Sequence, residues 1–339
     1  MNIFYPEGKM KKIISALLCL AILFTFVTGA AASSSKSFGA YKRVFIIGID
    51  GAGRFIKDAD TPNFDRIFAD GAVKYDARTE TKTDSGPNWG GILTGASYFK
   101  TRLSNSTVSD KERSADTEYP SIFNVARKAM PDAELASFVN WNPINYGIIE
   151  KDIGVTKHNK GDDAQLTDDI CAYFDEGNDP ALFFVQFDSV DHVGHDEGSK
   201  APGYIAQINI VDGYLGRVYD CLDRNGLLED ALFIVVADHG HMVIGGHGGI
   251  TMRESLVTIA AKGKTVIKGG EMDSDTRNRD VSAVALYALG LERPDSMTSR
   301  IPANLFEDTD GESRPLSKDP LDTFVGALAW FITKLTAFI

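Results

Sequence analysis

Cysteine is scarce in this sequence, which has three among its 339 residues. Cys19 lies in an apolar segment near the N-terminus, whereas Cys171 and Cys221 lie in stretches with helical periodicity. Two cysteines do not make the disulfide framework of a small secreted scaffold, so that class of protein is excluded. Cys171 and Cys221 could pair after export, but we expect both to be buried free thiols.

Positively charged residues are also fewer than negatively charged ones. Lysine and arginine number 35 against 47 aspartates and glutamates, which leaves a formal net charge of −12. Such an acidic surface repels a phosphate backbone, so nucleic-acid binding by charge is disfavoured. Hydrophobic residues make up 43% of the chain and charged residues 24%, which is typical of a soluble globular protein and argues against disorder throughout.

The N-terminal apolar run, IISALLCLAILFTFV, is short for a membrane span. It follows a basic start at Lys11 and Lys12 and precedes a run of small residues that ends at Ala32. This pattern predicts a secretory signal peptide over residues 1–32, in which residues 1–9 are an upstream extension from a misassigned start codon. A retained membrane anchor is the alternative. We therefore expect a secreted or extracellular protein.

The C-terminal segment 323–339 is apolar except for Lys334, and it too is somewhat short for a span. The polar stretch 308–322 predicts a linker before it. We expect an apolar helix over 323–339 that either lies on a membrane surface or packs on the preceding domain. The first alternative would make the protein membrane-associated.

Between these ends, short apolar runs bounded by glycine or aspartate alternate with segments of helical periodicity. The alternation predicts one α/β domain over 40–307 with a largely parallel central sheet. Strands are predicted within 42–53, 134–141, 181–188 and 232–238, helices within 61–72, 121–130, 166–177, 204–227 and 282–290, and a polar loop over 104–118.

Each strong predicted strand is followed by aspartate. Asp50 follows VFIIGI, Asp188 and Asp191 follow LFFVQF, and Asp238 follows LFIVVA. The carboxyl ends of parallel strands form one edge of an open sheet, so these carboxylates can meet there. Unpaired carboxylates packed together repel one another, and a bound metal ion removes that repulsion.

Histidines accompany these aspartates. "DHVGH" contains His195, "DHGH" contains His239, and "GGHGG" contains His247. Any one of these pairs alone is weak evidence, because a polar loop can hold a histidine by chance. Mixed aspartate and histidine ligands at several strand ends favour zinc, whereas an all-oxygen set would suggest magnesium or calcium.

A candidate nucleophile lies in "TDSGPNWGGILTG", residues 83–95. Ser85 precedes a helix-like run, and a helix N-terminus favours anionic oxygens. A serine hydroxyl next to a metal can act as an alkoxide near neutral pH. Taken alone, Ser85 is better explained as a helix N-cap.

These motifs, in this order and over about residues 42–306, resemble the alkaline phosphatase superfamily. The likeness is greatest to its type I phosphodiesterases and nucleotide pyrophosphatases, and rests on "IIGIDGAG", "TPNFDRIFADGA", "SGPNWGGILTG", "DSVDHVGHDEGS", "VVADHGH" and "GGHGG". The resemblance implies a mostly parallel sheet with helices on both faces. It also implies two zinc ions, with other divalent metals as the alternative.

The resemblance assigns roles to particular residues. Ser85 would attack phosphorus and form a covalent phosphoenzyme, and Asn88 would hydrogen-bond a phosphoryl oxygen. One zinc would be held by Asp50, Ser85, Asp238 and His239, and the other by Asp191, His195 and His247. Asp188 is the alternative to Asp191, and His158, His192 and His241 match no ligand position.

Departures from the family pattern restrict the function. Ser85 stands where the diesterases usually carry threonine, and Trp89 where they carry histidine or another residue. The arginine of the sulfatase motif is absent after Pro87, which argues against a sulfatase. Segment 101–160, with Trp141, Asn142 and Tyr146, is expected from its position in the chain to shape the leaving-group pocket.

We therefore predict a secreted two-zinc hydrolase that cleaves a phosphodiester or pyrophosphate bond in a small phosphorylated substrate. A phosphomonoesterase or a phosphoethanolamine transferase of the same fold is the main alternative. A sulfatase-like enzyme and a non-catalytic surface protein are less favoured, the latter because the ligand set is intact.

Overall fold

The structure is a computed structural model that describes residues 37–314, together with Leu328 and Phe331. The predicted signal peptide over 1–32 lies outside these residues, as does almost all of the predicted C-terminal helix. Leu328 and Phe331 are helical, and their side chains are exposed. Among the residues described, no helix is both long and apolar enough to cross a membrane.

Within the described chain, seven strands form one sheet in the order β2-β7-β6-β1-β5-β3-β4. Strand β7 runs antiparallel to both of its neighbours, and the remaining pairs are parallel. The α/β class with a mostly parallel sheet is therefore confirmed. The strands are β1 (Arg43–Ile49), β2 (Ala72–Arg78), β3 (Leu135–Val139), β4 (Thr156–Asn159), β5 (Leu182–Phe187), β6 (Ala231–Val236) and β7 (Leu256–Lys262).

Helices connect these strands. A 3-10 helix at Phe55–Asp58 and a π-helix at Ile144–Ile148 accompany the α-helices of the described region. The α-helices are α1 (Pro62–Phe68), α2 (Ser85–Thr94), α3 (Tyr98–Thr101), α4 (Asn105–Asp110), α5 (Ile122–Ala129), α6 (Asp163–Asp175), α7 (Ser189–Glu197), α8 (Pro202–Arg224), α9 (Met252–Ser255) and α10 (Asp280–Ala288).

The centre of the sheet explains why the candidate residues meet. Strands β1, β5 and β6 are almost wholly buried, as expected of parallel strands covered on both faces. Gly48 in β1 is in register with Gln186 of β5 and with Val236 of β6. The residues that follow these three strands therefore emerge side by side at one edge of the sheet.

The sequence missed three strands at the two sides of the sheet. Strand β4 has four residues and lies at one edge, where little burial is needed and the apolar pattern is weak. On the other side, β2 has buried residues separated by half-buried or exposed ones without a strict alternation, and β7 follows the short helix α9 without an intervening polar loop. The polar stretch 104–118 is not a simple loop, because it contains α4, capped by the side chain of Ser104.

The expectation that Cys171 and Cys221 are free thiols is wrong. They form a disulfide with their Cα atoms 5.6 Å apart, which links α6 to α8. Both cysteines lie in the interior of helices that pack against each other, so the pairing depended on a tertiary contact that helical periodicity does not reveal.

Candidate active site

The predicted site residues converge at the carboxyl edge of the sheet. Asp50 directly follows β1, and Asp238 lies two residues beyond β6. Helix α7 begins just after β5 and carries Asp191 and His195 one turn apart. Ser85 is the first residue of α2, and its side chain is almost fully buried.

The first group consists of Asp50, Asp238 and His239, with Ser85 beside it. His239 Nε2 is 3.5 Å from Asp50 Oδ1 and 3.2 Å from Asp238 Oδ2. Ser85 Oγ is 3.2 Å from the same nitrogen. Ligands of a tetrahedral zinc ion are separated by about 3.2–3.6 Å, because each is about 2.0–2.2 Å from the metal.

In each carboxylate of this group, one oxygen accepts hydrogen bonds from the protein and the other has no hydrogen-bond partner. Asp50 Oδ2 accepts hydrogen bonds from Trp89 Nε1 and Gln186 Nε2, both at 2.8 Å. Asp238 Oδ1 accepts from the backbone N–H groups of Gly51 and His239. Asp50 Oδ1 and Asp238 Oδ2 are buried without a hydrogen-bond partner. Bare buried oxygens that face one imidazole nitrogen fit a cation site.

The second group consists of Asp191, His195 and His247. His195 Nε2 is 3.4 Å from Asp191 Oδ2, and His247 Nε2 is 3.5 Å from Asp191 Oδ1. The two imidazole nitrogens are 3.0 Å apart. These separations are close to those around a tetrahedral zinc ion. The structure thus brings together both sets of residues that the resemblance implied.

Helix α7 is held in place from its N-terminal end. The carboxylate of Asp163, the first residue of α6, accepts hydrogen bonds from the backbone N–H groups of Asp188 and Ser189, both at 3.0 Å. It also accepts from Asn140 Nδ2 at 2.7 Å. A carboxylate at this position satisfies N–H groups that the first turn of a helix leaves free, so Asp163 orients the helix that carries Asp191 and His195.

His241 is buried inside the site rather than at the surface. Its Nε2 is 2.9 Å from Asp191 Oδ1, so it contacts a candidate ligand directly. A Cβ atom at Gly194 would lie 2.3 Å from Cδ2 of His241, which explains the glycine in "DHVGH". His241, which the sequence matched to no ligand position, therefore lies against a candidate ligand. It also forms a further candidate group with Asp191 and His239.

The remaining histidines lie farther out. His192 is 68% exposed, and its Nε2 is 3.2 Å from Asp188 Oδ2. Asp188 also accepts a hydrogen bond from Gln186 Nε2 and lies close enough to Asp50 and Asp191 to form a group with them. His158 Nε2 pairs with Asp169 Oδ2 at 2.8 Å, at β4 on the edge of the sheet.

The electrostatics of the two groups differ. Burial and the neighbouring carboxylates raise the pKa of Asp50 well above its usual range, and burial raises the pKa of Asp238 to about 7. Burial also lowers the pKa of His239. At Asp191, burial is outweighed by hydrogen bonds with His195 and His241, which lower the pKa of its carboxyl. A bound cation would relieve the repulsion at the first group most.

Asn88 does not take the predicted role. Its Nδ2 donates both hydrogens to backbone carbonyls, those of Lys82 and Asp84, and its Oδ1 accepts from the backbone N–H of Glu80 and from Asn278 Nδ2. The side chain is fully buried. Asn88 therefore has no hydrogen left for a phosphoryl oxygen, and instead holds the segment that precedes the nucleophile.

Asn105 is a residue that sequence analysis missed. It is exposed, and its Oδ1 accepts a hydrogen bond from the backbone N–H of Gly86 at 2.7 Å. This contact places its amide beside Ser85. The sequence did not mark Asn105 as a site residue, because it lies in the polar stretch that was expected to be a loop.

The three residues named in the predicted leaving-group segment do not all lie at one cavity. Asn142 and Tyr146 line a cavity of about 300 Å³ together with Glu112, Lys151 and other residues of this segment. Trp141 lies two residues beyond the end of β3, and its backbone N–H donates to Gln186 Oε1. A role for these residues in substrate binding stays a prediction.

The fold and the arrangement of the site agree with the resemblance to the alkaline phosphatase superfamily of α/β proteins. The chain belongs to the type I phosphodiesterase/nucleotide pyrophosphatase family, whose model matches residues 44–283. Membership implies an enzyme that acts on ester bonds, either as a hydrolase or as a transferase.

Solved structures agree with this fold. Murine ectonucleotide pyrophosphatase/phosphodiesterase 5 is 14% identical with a TM-score of 0.59, and the match covers 74% of this chain and 96% of that one. An inactive variant of that murine protein is known in complex with AMP. A 2-O GAG sulfatase is 12% identical with a TM-score of 0.60, over 76% of this chain and 73% of the other.

The curated relatives that this chain matches are GPI ethanolamine phosphate transferases. GPI ethanolamine phosphate transferase 2 of Aspergillus oryzae is 31% identical over 78 residues, which cover 23% of this chain and 9% of the relative. The Yarrowia lipolytica protein of the same name is 22% identical over 195 residues, 56% of this chain and 22% of the relative. The chain therefore spans less than a quarter of the length of these two relatives.

Proposed function

We propose that this protein is a metal-dependent enzyme that cleaves a phosphodiester or pyrophosphate bond through a covalent phosphoserine at Ser85. The observation that carries the proposal is the position of Ser85 Oγ, 3.2 Å from His239 Nε2 and beside two buried carboxylates with bare oxygens. Family membership supports the reaction class.

The residues of this chain can hold two metal ions, which we propose to be zinc. Asp50, Asp238, His239 and Ser85 would hold one, and Asp191, His195 and His247 the other. When bound, such ions supply positive charge that favours the ionised serine hydroxyl and offsets the charge of the phosphoryl group.

The chemistry of the chain's own residues follows from their positions. Ser85 Oγ attacks phosphorus and forms an O–P bond while the bond to the leaving oxygen breaks. Water then cleaves the Ser85 phosphoester and restores the hydroxyl. The N-terminal end of α2 favours the negative charge that develops there. Asn105 Oδ1 accepts a hydrogen bond from the backbone N–H of Gly86, and its Nδ2 would donate to a phosphoryl oxygen.

A phosphoethanolamine transferase is the second candidate, and the matches to curated transferases favour it. The same phosphoserine would then be resolved by an acceptor hydroxyl instead of water. The substrate in either case is a small phosphorylated molecule or a phosphorylated headgroup.

We also propose that the protein is exported, with contact to a membrane surface through 323–339. The disulfide between Cys171 and Cys221 supports export, because such bonds persist in oxidising compartments.

The experiment that separates these candidates compares three substrates with the purified, zinc-loaded protein. Faster turnover of bis-p-nitrophenyl phosphate than of p-nitrophenyl phosphate supports a diesterase, and the reverse supports a monoesterase. Release of diacylglycerol from phosphatidylethanolamine vesicles beyond one equivalent per enzyme, only when an acceptor alcohol is added, supports a transferase, because formation of the phosphoserine itself releases the first equivalent. Absence of turnover with all three would contradict the proposal.

A further inference from the structure

The loop that carries His247 is rich in glycine, so hydrogen bonds from other segments must fix its conformation. Gly246 and Gly248 flank His247 and have φ angles of 76° and 104°, which other residues rarely adopt. Such backbone has many conformations to lose on folding, so the imidazole is placed only if other groups fix the loop. Met242 holds one end of the loop, since its backbone N–H donates to the carbonyl oxygen of Gly246. The contacts around His247 and the two glycines after it come from the segment just before the nucleophile and from Glu254.

Thr83 lies two residues before Ser85, and its side chain is fully buried. Its hydroxyl oxygen accepts a hydrogen bond from the backbone N–H of Gly248 at 2.9 Å and lies 2.9 Å from the carbonyl oxygen of Gly249. Its own carbonyl oxygen is 2.8 Å from Nδ1 of His247. One threonine therefore contacts three consecutive residues of the loop.

Glu254 completes this arrangement from the other side. It is fully buried, and its Oε1 accepts a hydrogen bond from the backbone N–H of Gly249 at 2.7 Å and lies 3.3 Å from the Thr83 hydroxyl. Its Oε2 accepts from the backbone N–H and the hydroxyl of Thr251. The carboxylate thus joins both ends of the turn that follows His247.

The contact to Nδ1 has a chemical consequence for His247. An imidazole that donates Nδ1–H to a carbonyl presents Nε2 as a bare lone pair. Nε2 is the atom that faces Asp191 Oδ1 and His195 Nε2 in the second group. The backbone carbonyl of Thr83, together with Asp84 Oδ1 at 3.6 Å from the same Nδ1, therefore leaves Nε2 as the nitrogen with which His247 can bind a cation. The Thr83 hydroxyl acts on the location of His247, through Gly248 and Gly249.

We propose that Thr83 is a positioning residue that joins the nucleophile segment to the His247 loop and sets the metal affinity of the group formed by Asp191, His195 and His247. The proposal rests on the proposed function for the identity of that group as a metal site. It assigns to Thr83 a task that needs a hydroxyl, because a valine of the same shape offers neither a donor nor an acceptor to Gly248 and Gly249.

The test measures metal binding rather than turnover. Metal-free protein is titrated with Zn²⁺ in competition with a chromophoric chelator, and the two dissociation constants are resolved. The constant that disappears in His247→Ala belongs to the second group. In Thr83→Val we expect this constant to rise about 10- to 100-fold, as is typical when a residue that supports a metal ligand is lost. The other constant should change less than about threefold.

Two further variants make the result specific. Thr83→Ser keeps the hydroxyl and should restore the constant to near wild type. Thr276→Val removes another buried hydroxyl, one that donates to the carbonyl of Asp273 in a turn outside the two groups, and should leave both constants unchanged. Glu254→Gln should raise the same dissociation constant that Thr83→Val raises. It replaces Thr83→Val in the test if the Thr83→Val protein does not fold.

The outcomes separate this inference from the proposed function. Wild-type protein that binds fewer than two zinc ions would contradict the proposed function itself. Wild-type protein that binds two, with a Thr83→Val variant that binds both as tightly, would overturn the role of Thr83 alone. An equal loss in Thr83→Val and Thr83→Ser would overturn it too, because the hydroxyl would then not be the group that matters.

Discussion

The hydroxyl oxygen of Ser85 lies 3.2 Å from Nε2 of His239, although 154 residues separate them in the chain. Ser85 begins helix α2, and His239 lies just past the end of strand β6. The parallel register of β1, β5 and β6 brings their carboxyl ends to one edge, and α2 points its N-terminus at the same place. A nucleophile, a helix N-terminus and bare carboxylate oxygens thus share one site.

The first prediction concerns the disulfide. Replacing both Cys171 and Cys221 with serine should lower the free energy of unfolding by about 2–4 kcal/mol, because the bond closes a long loop in the unfolded chain. Urea denaturation of the oxidised wild type and the double variant measures this. Wild type in reductant should resemble the variant, and unchanged stability in both would contradict the pairing.

The second prediction concerns Asp163, whose carboxylate holds the N-terminus of α7. Asp163→Asn should lower the free energy of unfolding by about 1–3 kcal/mol, because an amide group replaces one acceptor of a buried backbone N–H. Asp162→Asn is the matched control. Asp162 caps α6 through Gln165 N, and asparagine caps a helix about as well as aspartate. Equal stabilities of the two variants would count against the role of Asp163.

The third prediction separates two asparagines. Asn105→Ala should lower turnover about 10- to 100-fold with little effect on stability, because a hydrogen bond to a charged group is worth about 1.5–3 kcal/mol. Asn88→Ala should instead lower the melting temperature, since it leaves several buried polar groups without partners. Turnover at saturating zinc and thermal denaturation are measured on both variants. The opposite pattern would restore Asn88 as the substrate-binding residue.

How far the sequence predicts this molecule depends on the range of each interaction. Asp50 and Asp238 were predictable because each follows a continuous apolar strand, a pattern that local sequence displays. Asp163 was not, because its carboxylate acts on backbone N–H groups 25 residues away. Thr83 acts across 165 residues on the backbone of a glycine-rich loop, and no side-chain pattern marks such a contact.

Asn88 shows a different limit. The motif "SGPNWGG" places it one turn from Ser85, and the sequence alone suggests that it faces the substrate. In the structure its side chain points into the protein, where three hydrogen bonds hold the segment before the nucleophile and a fourth joins it to Asn278. Spacing along a helix places a residue near a site, but burial decides which way its side chain can act.

The fourth prediction concerns pH. Burial raises the pKa of Asp238 to about 7 in the folded, metal-free protein, whereas an unfolded aspartate titrates near its ordinary value of about 3.9. Between these values the folded state keeps a proton that the unfolded state has released, so the contribution of Asp238 to stability falls as pH rises from about 4 to about 7.

Asp238→Asn removes this contribution without changing the shape of the side chain. In the presence of a chelator, the unfolding free energy of wild type minus that of the variant should therefore decrease between pH 4.5 and pH 7, by on the order of 1–4 kcal/mol. Urea denaturation at the two pH values measures the difference. A difference that stays constant, or that grows with pH, would contradict the raised pKa.

The most direct test of the central claim is the turnover of Ser85→Ala in protein loaded with zinc, with metal content measured on the same sample. We predict that the variant retains its metal ions but loses at least about 10³-fold in kcat on bis-p-nitrophenyl phosphate, since groups that act as a unit fail together. Ser85→Thr should keep part of the activity because its hydroxyl survives. If Ser85→Ala keeps its zinc and turns over substrate at close to the wild-type rate, water attacks phosphorus directly and the covalent mechanism is wrong.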